Sequence, residues 1–590
     1  MHEFTVWAPR LRKVAVKIGD RTYPMRGPDE RGWLRVAVES AGPGTDYGFV
    51  LDADSQAWPD PRSQWQPHGV HGMSRVYDQA AFRWSDEMWQ APSLERAVIY
   101  ELHIGTFTPK GTFDSAIERL DYLVWLGITH VELMPVAAFP GGQGWGYDGA
   151  SLFAVTEQYG GPDGLKRLVD ACHARGLAVL LDVVYNHFGP VGNYSGKFGP
   201  YMTDRHRTPW GDAVNFEDWG SDEVRRFFCD NALMWLRDYH IDGLRLDAVH
   251  EYVDRSAIHF MEQLADEVKE LSAKLGRRLV LIAESDLNDP RVVKAKTLGG
   301  YGMDAQWSDD FHHALFTVLK REGAEKGYYV DFGTVAKLAK ALTNVFVQDG
   351  TTYSTYRGRS HGRAVEGLSP HQFLGFIQNH DQVGNRAVGD RLDQVVGMDR
   401  AKVAAGIVLM APFVPMIFQG EEFAASTPFQ YFADHDDPEM ARAVKEGRRG
   451  EFAAFGWNPE EIPDPEDVET FRRSKLNWDE VHEGRHEEML EWYRRLIELR
   501  HSSAALNDGT PGQTKVSFDE EKKWLVMERV AVTVMCNLGM ERVELENARQ
   551  LPLVLASRDD VEAGKGKVVL PPDTLAVLSG EKNGSREKSG

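Results

Sequence analysis

The chain is 590 residues long, far beyond what one small core can organise, so two to four domains are expected. A formal net charge of -22 excludes a broad nucleic-acid or anionic-membrane surface, because phosphate contacts need clustered Lys and Arg. Three scattered cysteines, Cys172, Cys229 and Cys536, exclude a disulfide framework or metal knuckle, and no apolar stretch is long enough to span a bilayer. With no basic-then-apolar leader, the reading is a cytoplasmic protein. Sixteen Trp and nineteen Tyr suit a neutral partner with apolar ring faces, though packing is the commoner use of both.

In chain order, residues 1–88 alternate apolar and polar residues (Phe4 to Ala8, Val14 to Ile18) with turn signals between, which predicts a small β-sandwich. The Pro- and Asp-rich stretch from Trp58 to Pro67 reads as a linker-like extended segment. From 89 to 505 the pattern becomes strand, loop, helix, repeated. Candidate strands are Val98–Leu102, His130–Leu133, Ala178–Asp182, Gly243–Asp247, Leu279–Ile282, Met303–Trp307, Phe373–Ile377 and Pro415–Phe418. Between them lie helical patterns starting near Phe113, Gly164, Glu223, Ile258 and Asp399, several closed by Gly. Eight such units predict an α/β fold, a parallel (β/α)8 TIM barrel, with functional groups at the C-terminal ends of its strands. Strand patterns return over 506–580, a C-terminal β-domain, and residues 581–590 read as a disordered tail.

Four short runs end predicted strands: Asp182 to His187 (DVVYNH), Gly243 to His250 (GLRLDAVH), Leu281 to Ser285 (LIAES) and Phe376 to Asp381 (FIQNHD). They bring three carboxylates to one rim. Arg245 and Asp247 are two apart, so they share a face, and an always-charged guanidinium keeps the neighbouring carboxylate ionised. Glu284 ends the next strand, where burial beside Asp247 and Asp381 favours the protonated form. An ionised carboxylate facing a protonated one is what retaining hydrolysis of a glycosidic bond requires. Taken singly, each residue has a structural reading: Arg245 and Asp247 as a rim ion pair, His187 and His380 as satisfied polar residues, Tyr147 as packing. Their joint occurrence on consecutive strands favours chemistry.

These runs resemble, in order and content, the sequence regions of the α-amylase superfamily of glycoside hydrolases. Within it the pattern is similar to the trehalohydrolase family, on Trp145 to Gly149 (WGYDG), the run DVVYNHFGPVGNY from Asp182, Ser308 to His313 (SDDFHH), His380 to Asn385 (HDQVGN) and Ser426 to Asp436 (STPFQYFADHD). The resemblance implies a catalytic set of Asp247, Glu284 and Asp381. It also implies donor-side contacts from His187, His380 and Tyr147, no cofactor, and hydrolysis of the α-1,4 bond beside the terminal trehalose of maltooligosyltrehalose. On the acceptor side, His250-Glu251 departs from the Lys-His of many amylases. Asp309, His312, His313, Gln382, Asn385 and Arg386 are candidate cleft residues or loop supports. Phe429, Tyr431 and Phe432 read as an aromatic wall or as a loop mini-core. Asn186 stands where many amylases bind calcium, but no further acidic cluster follows to complete such a site, so a structural hydrogen bond is expected and no metal. The alternatives are a glycogen-branching enzyme, whose first motif tends to end in Pro-Gly-His, a general amylase, and a catalytically silent glucan-binding protein.

Overall fold

A computed structural model describes residues 1–52, 54–321, 327–454 and 458–581. Eight parallel strands close into a barrel. They are β1 Ile99–Leu102, β2 His130–Leu133, β3 Ala178–Val183, β4 Gly243–Leu246, β5 Val280–Ala283, β6 Ala305–Trp307, β7 Phe373–Gly375 and β8 Val414–Phe418. Each strand neighbours its successor and β8 pairs with β1. All eight sequence-predicted strands are present. They are near-continuous apolar runs because both faces are covered: Leu180, Ile282, Trp307, Leu374 and Met416 fill the inside, and helices cover the outside. Gly243 opens β4 because any Cβ there would lie 2.7 Å from the Val280 carbonyl oxygen of β5.

Register places the chemistry. Asp182 on β3 is level with Arg245 on β4, and Glu101 on β1 is level with Glu132 on β2. The helix expected from Phe113 is two pieces, Phe113–Ile117 and Leu120–Leu126. Between them the Arg119 N–H bonds the Ala116 carbonyl at 2.9 Å, while the Arg119 guanidinium lies over Trp478, 4.4 Å from the ring centroid, a contact sequence periodicity does not encode.

Strand-rich regions flank the barrel. At the N-terminal side His2–Trp7 pairs with Trp33–Val38, and a second sheet is built on Val14–Ile18 and Asp46–Leu51. At the C-terminal side a five-stranded sheet packs with a three-stranded one. The segment read as a linker is not loose. Asp60, Ser63 and Gln66 are buried, Tyr47 donates to Asp60 at 2.7 Å, and Arg62 reaches Asp230 at 2.8 Å across the faces of Trp33, Phe153 and Phe227. Pro and Asp there fix an extended course that glues the first sheets to the barrel. Apart from Glu581, the expected disordered tail lies outside the described residues. Among those described, no helix is long and apolar enough to cross a membrane.

Three long excursions follow the C-terminal ends of their strands. After β3 comes a hairpin, Met202–Thr208 with Gly211–Val214; after β6, the helices Asp309–Lys320 and Val335–Asn344 and a small hairpin at Tyr353–Ser354; after β8, the aromatic stretch and the helix Pro438–Ala454.

Candidate active site

Arg245 is the centre of the rim. It is fully buried, and its Nη1 donates to Asp182 Oδ2 and Asp247 Oδ1, both at 2.7 Å, while Nη2 lies 3.0 Å from Glu284 Oε2. Its Cζ rests 4.2 Å from the Trp307 ring centroid. Burying a cation with three acids is tolerable only because each charge has a close partner.

Immediately beyond β4, Asp247 turns into the mouth and Ala248 takes a left-handed conformation, φ 40° and ψ 54°. That geometry costs a non-glycine residue roughly 1 kcal/mol or more and persists only where its surroundings impose it. Here the Ala248 N–H donates to Glu284 Oε2 at 2.7 Å and the Val249 N–H to the Glu284 carbonyl at 2.9 Å. Asn186 fixes the other side of Asp247, its Nδ2 donating to Oδ2 at 2.7 Å and to the backbone oxygen at 3.0 Å. The residue considered for calcium therefore spends its amide on Asp247.

The two acids diverge electrostatically. Burial works against ionisation of Asp247, but the Arg245 guanidinium and the Asn186 bond outweigh it and hold the carboxyl below its ordinary range. Burial pushes Glu284 well above its ordinary range, and the charges of Asp247, Asp381 and Asp309 add to that against the pull of Arg245. Asp309 is pushed up to about 7 by burial and then by Asp381 and Asp310.

Around this pair stand the remaining rim residues. Tyr147 donates its hydroxyl proton to Asp182 at 2.5 Å and stacks on His380, centroids 5.0 Å apart. His380 bonds Glu101 through Nδ1 at 2.5 Å. His187 contacts Asn186 through Nδ1, has its Nε2 at 3.1 Å from the Tyr147 carbonyl, and stacks on Trp210 at 4.7 Å; burial lowers its pKa. Asp381 is two-fifths exposed and accepts from Asn385 Nδ2 at 2.9 Å. Tyr147, His187, Arg245, Asp247, Glu284 and His380 thus converge, with Asp381 at their open edge.

The acceptor-side candidates separate. His250 lies 3.9 Å from Asp286, which Arg357 binds at 3.0 Å, and the half-buried side chain of Glu251 makes no hydrogen bond among the described residues. Gln382 receives a 3.4 Å contact from Tyr329. His313 packs among Tyr328, Tyr329 and Phe332. His312 is buried between Phe316 and Phe376, and Arg386 forms a two-pronged pair with Asp390 at 2.7 and 2.8 Å. Phe429 and Phe432 are fully buried with Trp145, Met134, Val383 and Phe418. Of the two readings for that stretch, the loop mini-core is the one found, because Trp145 stacks on Phe429 at 5.3 Å and donates to the Gln430 carbonyl at 3.0 Å.

Sequence reading missed Asp182, Glu101, Trp307, Trp210 and the Asp286–Arg357 pair. Asp182 was legible, since it opens the first motif and its register partner is Arg245. The others come from separate excursions or strands and carry no local pattern. All three cysteines are buried, and burial raises each thiol. Among the described residues no cluster of His, Cys, Asp and Glu is arranged to hold a metal.

Residues 70–204 and 215–509 match the model of the α-amylase catalytic domain. Over 98% of its length the chain is 47% identical to the malto-oligosyltrehalose trehalohydrolase of Rhizobium sp. (strain M-11), covering 97% of that protein, and 49% identical to that of Mycobacterium tuberculosis, covering 99%. A crystal structure of an alpha-amylase-type protein from Salmonella typhimurium superposes with a TM-score of 0.89 at 37% identity, covering 98% of this chain and 97% of the other. An eight-stranded barrel with three acids on one guanidinium, matched at near-full length to these relatives, places the chain in the malto-oligosyltrehalose trehalohydrolase family of α-amylase-type glycoside hydrolases.

Proposed function

We propose that the chain hydrolyses the α-1,4 bond beside the terminal trehalose unit of maltooligosyltrehalose, with retention of configuration and without a cofactor. The observation that carries the mechanism is the single Arg245 guanidinium bound to one oxygen of Asp247 and one of Glu284. Two carboxyls held by one guanidinium are close neighbours, which suits the spacing of about 5–5.5 Å of retaining enzymes.

Asp247, held ionised, attacks the anomeric carbon. Glu284 gives its proton to the glycosidic oxygen, and trehalose leaves. Because Glu284 Oε2 already accepts from Ala248 and faces Arg245, the acid proton sits on Oε1. Glu284, now a base, takes a proton from water, which opens the glycosyl ester and frees Asp247. Asp381, His187 and His380 bond hydroxyls of the distorted sugar, and Tyr147 lies against its face. Water as the acceptor in place of a second glucan chain separates the reading from a branching enzyme, and the Tyr185-Asn186-His187 ending of the first motif supports that choice.

Proton NMR of a fresh digest of maltooligosyltrehalose tests the proposal. Free trehalose together with an α-anomeric new reducing end on the glucan is the expected result. A β-anomer there excludes the assignment of Asp247 as nucleophile, and absence of trehalose excludes the activity.

A further inference from the structure

One buried acid inside the barrel, Glu101, is not used by the chemistry above. Glu101 on β1 is 1% exposed and sits beneath His380, 2% exposed. Its Oε2 accepts the His380 backbone N–H at 2.9 Å and its Oε1 contacts the imidazole Nδ1 at 2.5 Å. One carboxylate therefore fixes both the main chain and the ring of a residue whose other face is at the rim.

The proton count follows from the partners. A carboxylate only accepts, so Nδ1 carries a proton. On the far side, Nε2 lies 2.8 Å from the Tyr147 hydroxyl. That hydroxyl has one proton and gives it to Asp182 Oδ2 at 2.5 Å, where Arg245 also donates. Tyr147 can then only accept from His380, so Nε2 carries a proton too.

We propose that Glu101 is a positioning residue for the hydrolysis: it locks the His380 imidazole in one rotation and keeps it a cation, so that Nε2 stays a donor at the rim, to the Tyr147 hydroxyl or to a sugar hydroxyl that takes its place, with the ring's charge facing Asp381. The proposal rests on the function argued above only for its effect on rate. A neutral ring would turn a lone pair toward the Tyr147 hydroxyl oxygen and remove the positive charge facing Asp381, whose Oδ1 is 3.9 Å from Nε2.

The charges facing His380 agree with this. Burial opposes the cation, but Glu101 and then Asp381 raise His380 to about 9 against Arg245. Asp182 and Asp247 lie beyond Tyr147 on the acidic side. Glu132, level with Glu101 on β2, has neither oxygen hydrogen-bonded among the described residues, and burial together with Glu101 raises it well above its ordinary range. His103, the other nearby imidazole, is lowered by burial to about 3 and adds no charge. Glu101 is thus the counter-ion in direct contact with His380.

Histidine-selective 15N NMR of the wild-type enzyme reads the ring directly, with no substrate present. Both His380 nitrogens are expected protonated at pH 7 and to about pH 8; a neutral ring at pH 7 overturns the proposal. In Glu101→Gln, which keeps an acceptor oxygen but no charge, His380 should titrate no higher than the ordinary value of about 6.5, because burial and Arg245 still oppose the cation. Trehalose release should then fall at least about thirtyfold at pH 8, following the fraction of ring still protonated there, and recover as pH is lowered. In a His380→Gln background the same change should cost less than about twofold, because Glu101 acts through His380. Equal losses in both backgrounds, or a titration unmoved by Glu101→Gln, overturn it. Loss of activity in the wild type would instead overturn the assigned reaction, which the NMR titration does not depend on.

Discussion

The backbone N–H of Ala248 donates to Oε2 of Glu284 at 2.7 Å, so the strained turn that follows one catalytic candidate is fastened to the side chain of the other. The two acids are therefore not independently mobile. Their spacing is set twice, by Arg245 between the side chains and by this bond between turn and carboxyl.

That double attachment makes the conservative substitutions informative. Glu284→Gln keeps an oxygen for the Ala248 N–H and should fold normally, yet lose nearly all turnover, at least about 100-fold, because the amide cannot supply the proton. Asp247→Ala should lose turnover at least as completely. Circular dichroism and thermal unfolding check the fold, and product quantitation the rate. Substantial activity in Asp247→Ala would remove it as nucleophile.

The rate should be bell-shaped in pH. It falls as pH drops through the ionisation of Asp247, held below its ordinary range by Arg245 and Asn186 against burial, and falls again as pH rises through that of Glu284, raised by burial and by its acidic neighbours. The limbs belong to the coupled cluster and not to either residue alone. Asp309→Asn removes one of the charges that raises Glu284, so the basic limb should move to lower pH with little change in the acidic one. A basic limb unmoved in kcat against pH would place Asp309 outside the cluster.

At the opposite end of the barrel, His173 is sandwiched between Asp86 at 2.7 Å and Asp242 at 2.9 Å, all three side chains nearly fully buried. Burial opposes every charge here, but the two acids raise His173, and the histidines lower Asp86 and Asp242. A raised histidine contributes stability below its unfolded pKa that is lost as pH rises through the folded one. A lowered acid contributes stability above its unfolded pKa that is lost as pH falls through the folded one. The network should therefore stabilise most between roughly pH 4 and 6.5. His173→Gln should cost about 3–5 kcal/mol in that window, less at pH 9. Denaturant unfolding at several pH values checks this; a loss that does not vary with pH would contradict it.

The aromatic stretch after β8 makes a second stability prediction. Phe429→Ala should cost about 3–5 kcal/mol by opening the cluster under Trp145, and should lower activity on trehalose-ended and plain glucans alike. Glu251→Gln is the contrast: its side chain has no hydrogen bond to lose, so the fold should be unaffected while the preference for the trehalose-ended substrate narrows. Paired kcat/KM values on the two substrates separate the cases. Equal losses in Glu251→Gln would move specificity elsewhere, toward the Asp286–Arg357 pair.

The barrel was legible because parallel strands buried on both faces read as short apolar runs and their helices as apolar stripes. Arg245 and Asp247 were legible as rim neighbours through strand alternation alone. The aromatic stretch was not, because Phe429 and Tyr431 read equally as a wall or a core until Trp145, 284 residues earlier than Phe429, is seen to stack on it. Glu101 and Trp307 were missed for the same reason: each meets its partner across the barrel, and no spacing along the chain records that. The helix Val335–Asn344 of the β6 excursion went unread although Val335, Leu338, Ala339 and Leu342 give it an apolar stripe, because it follows no predicted strand directly.

The central claim is tested most directly by incubating the enzyme with maltooligosyltrehalose and, separately, with a plain maltooligosaccharide of equal length, and comparing kcat/KM with the products resolved. The account predicts free trehalose as the first product and a much lower kcat/KM on the plain chain. Equal cleavage of both, or the appearance of new 1,6-branches, would contradict it.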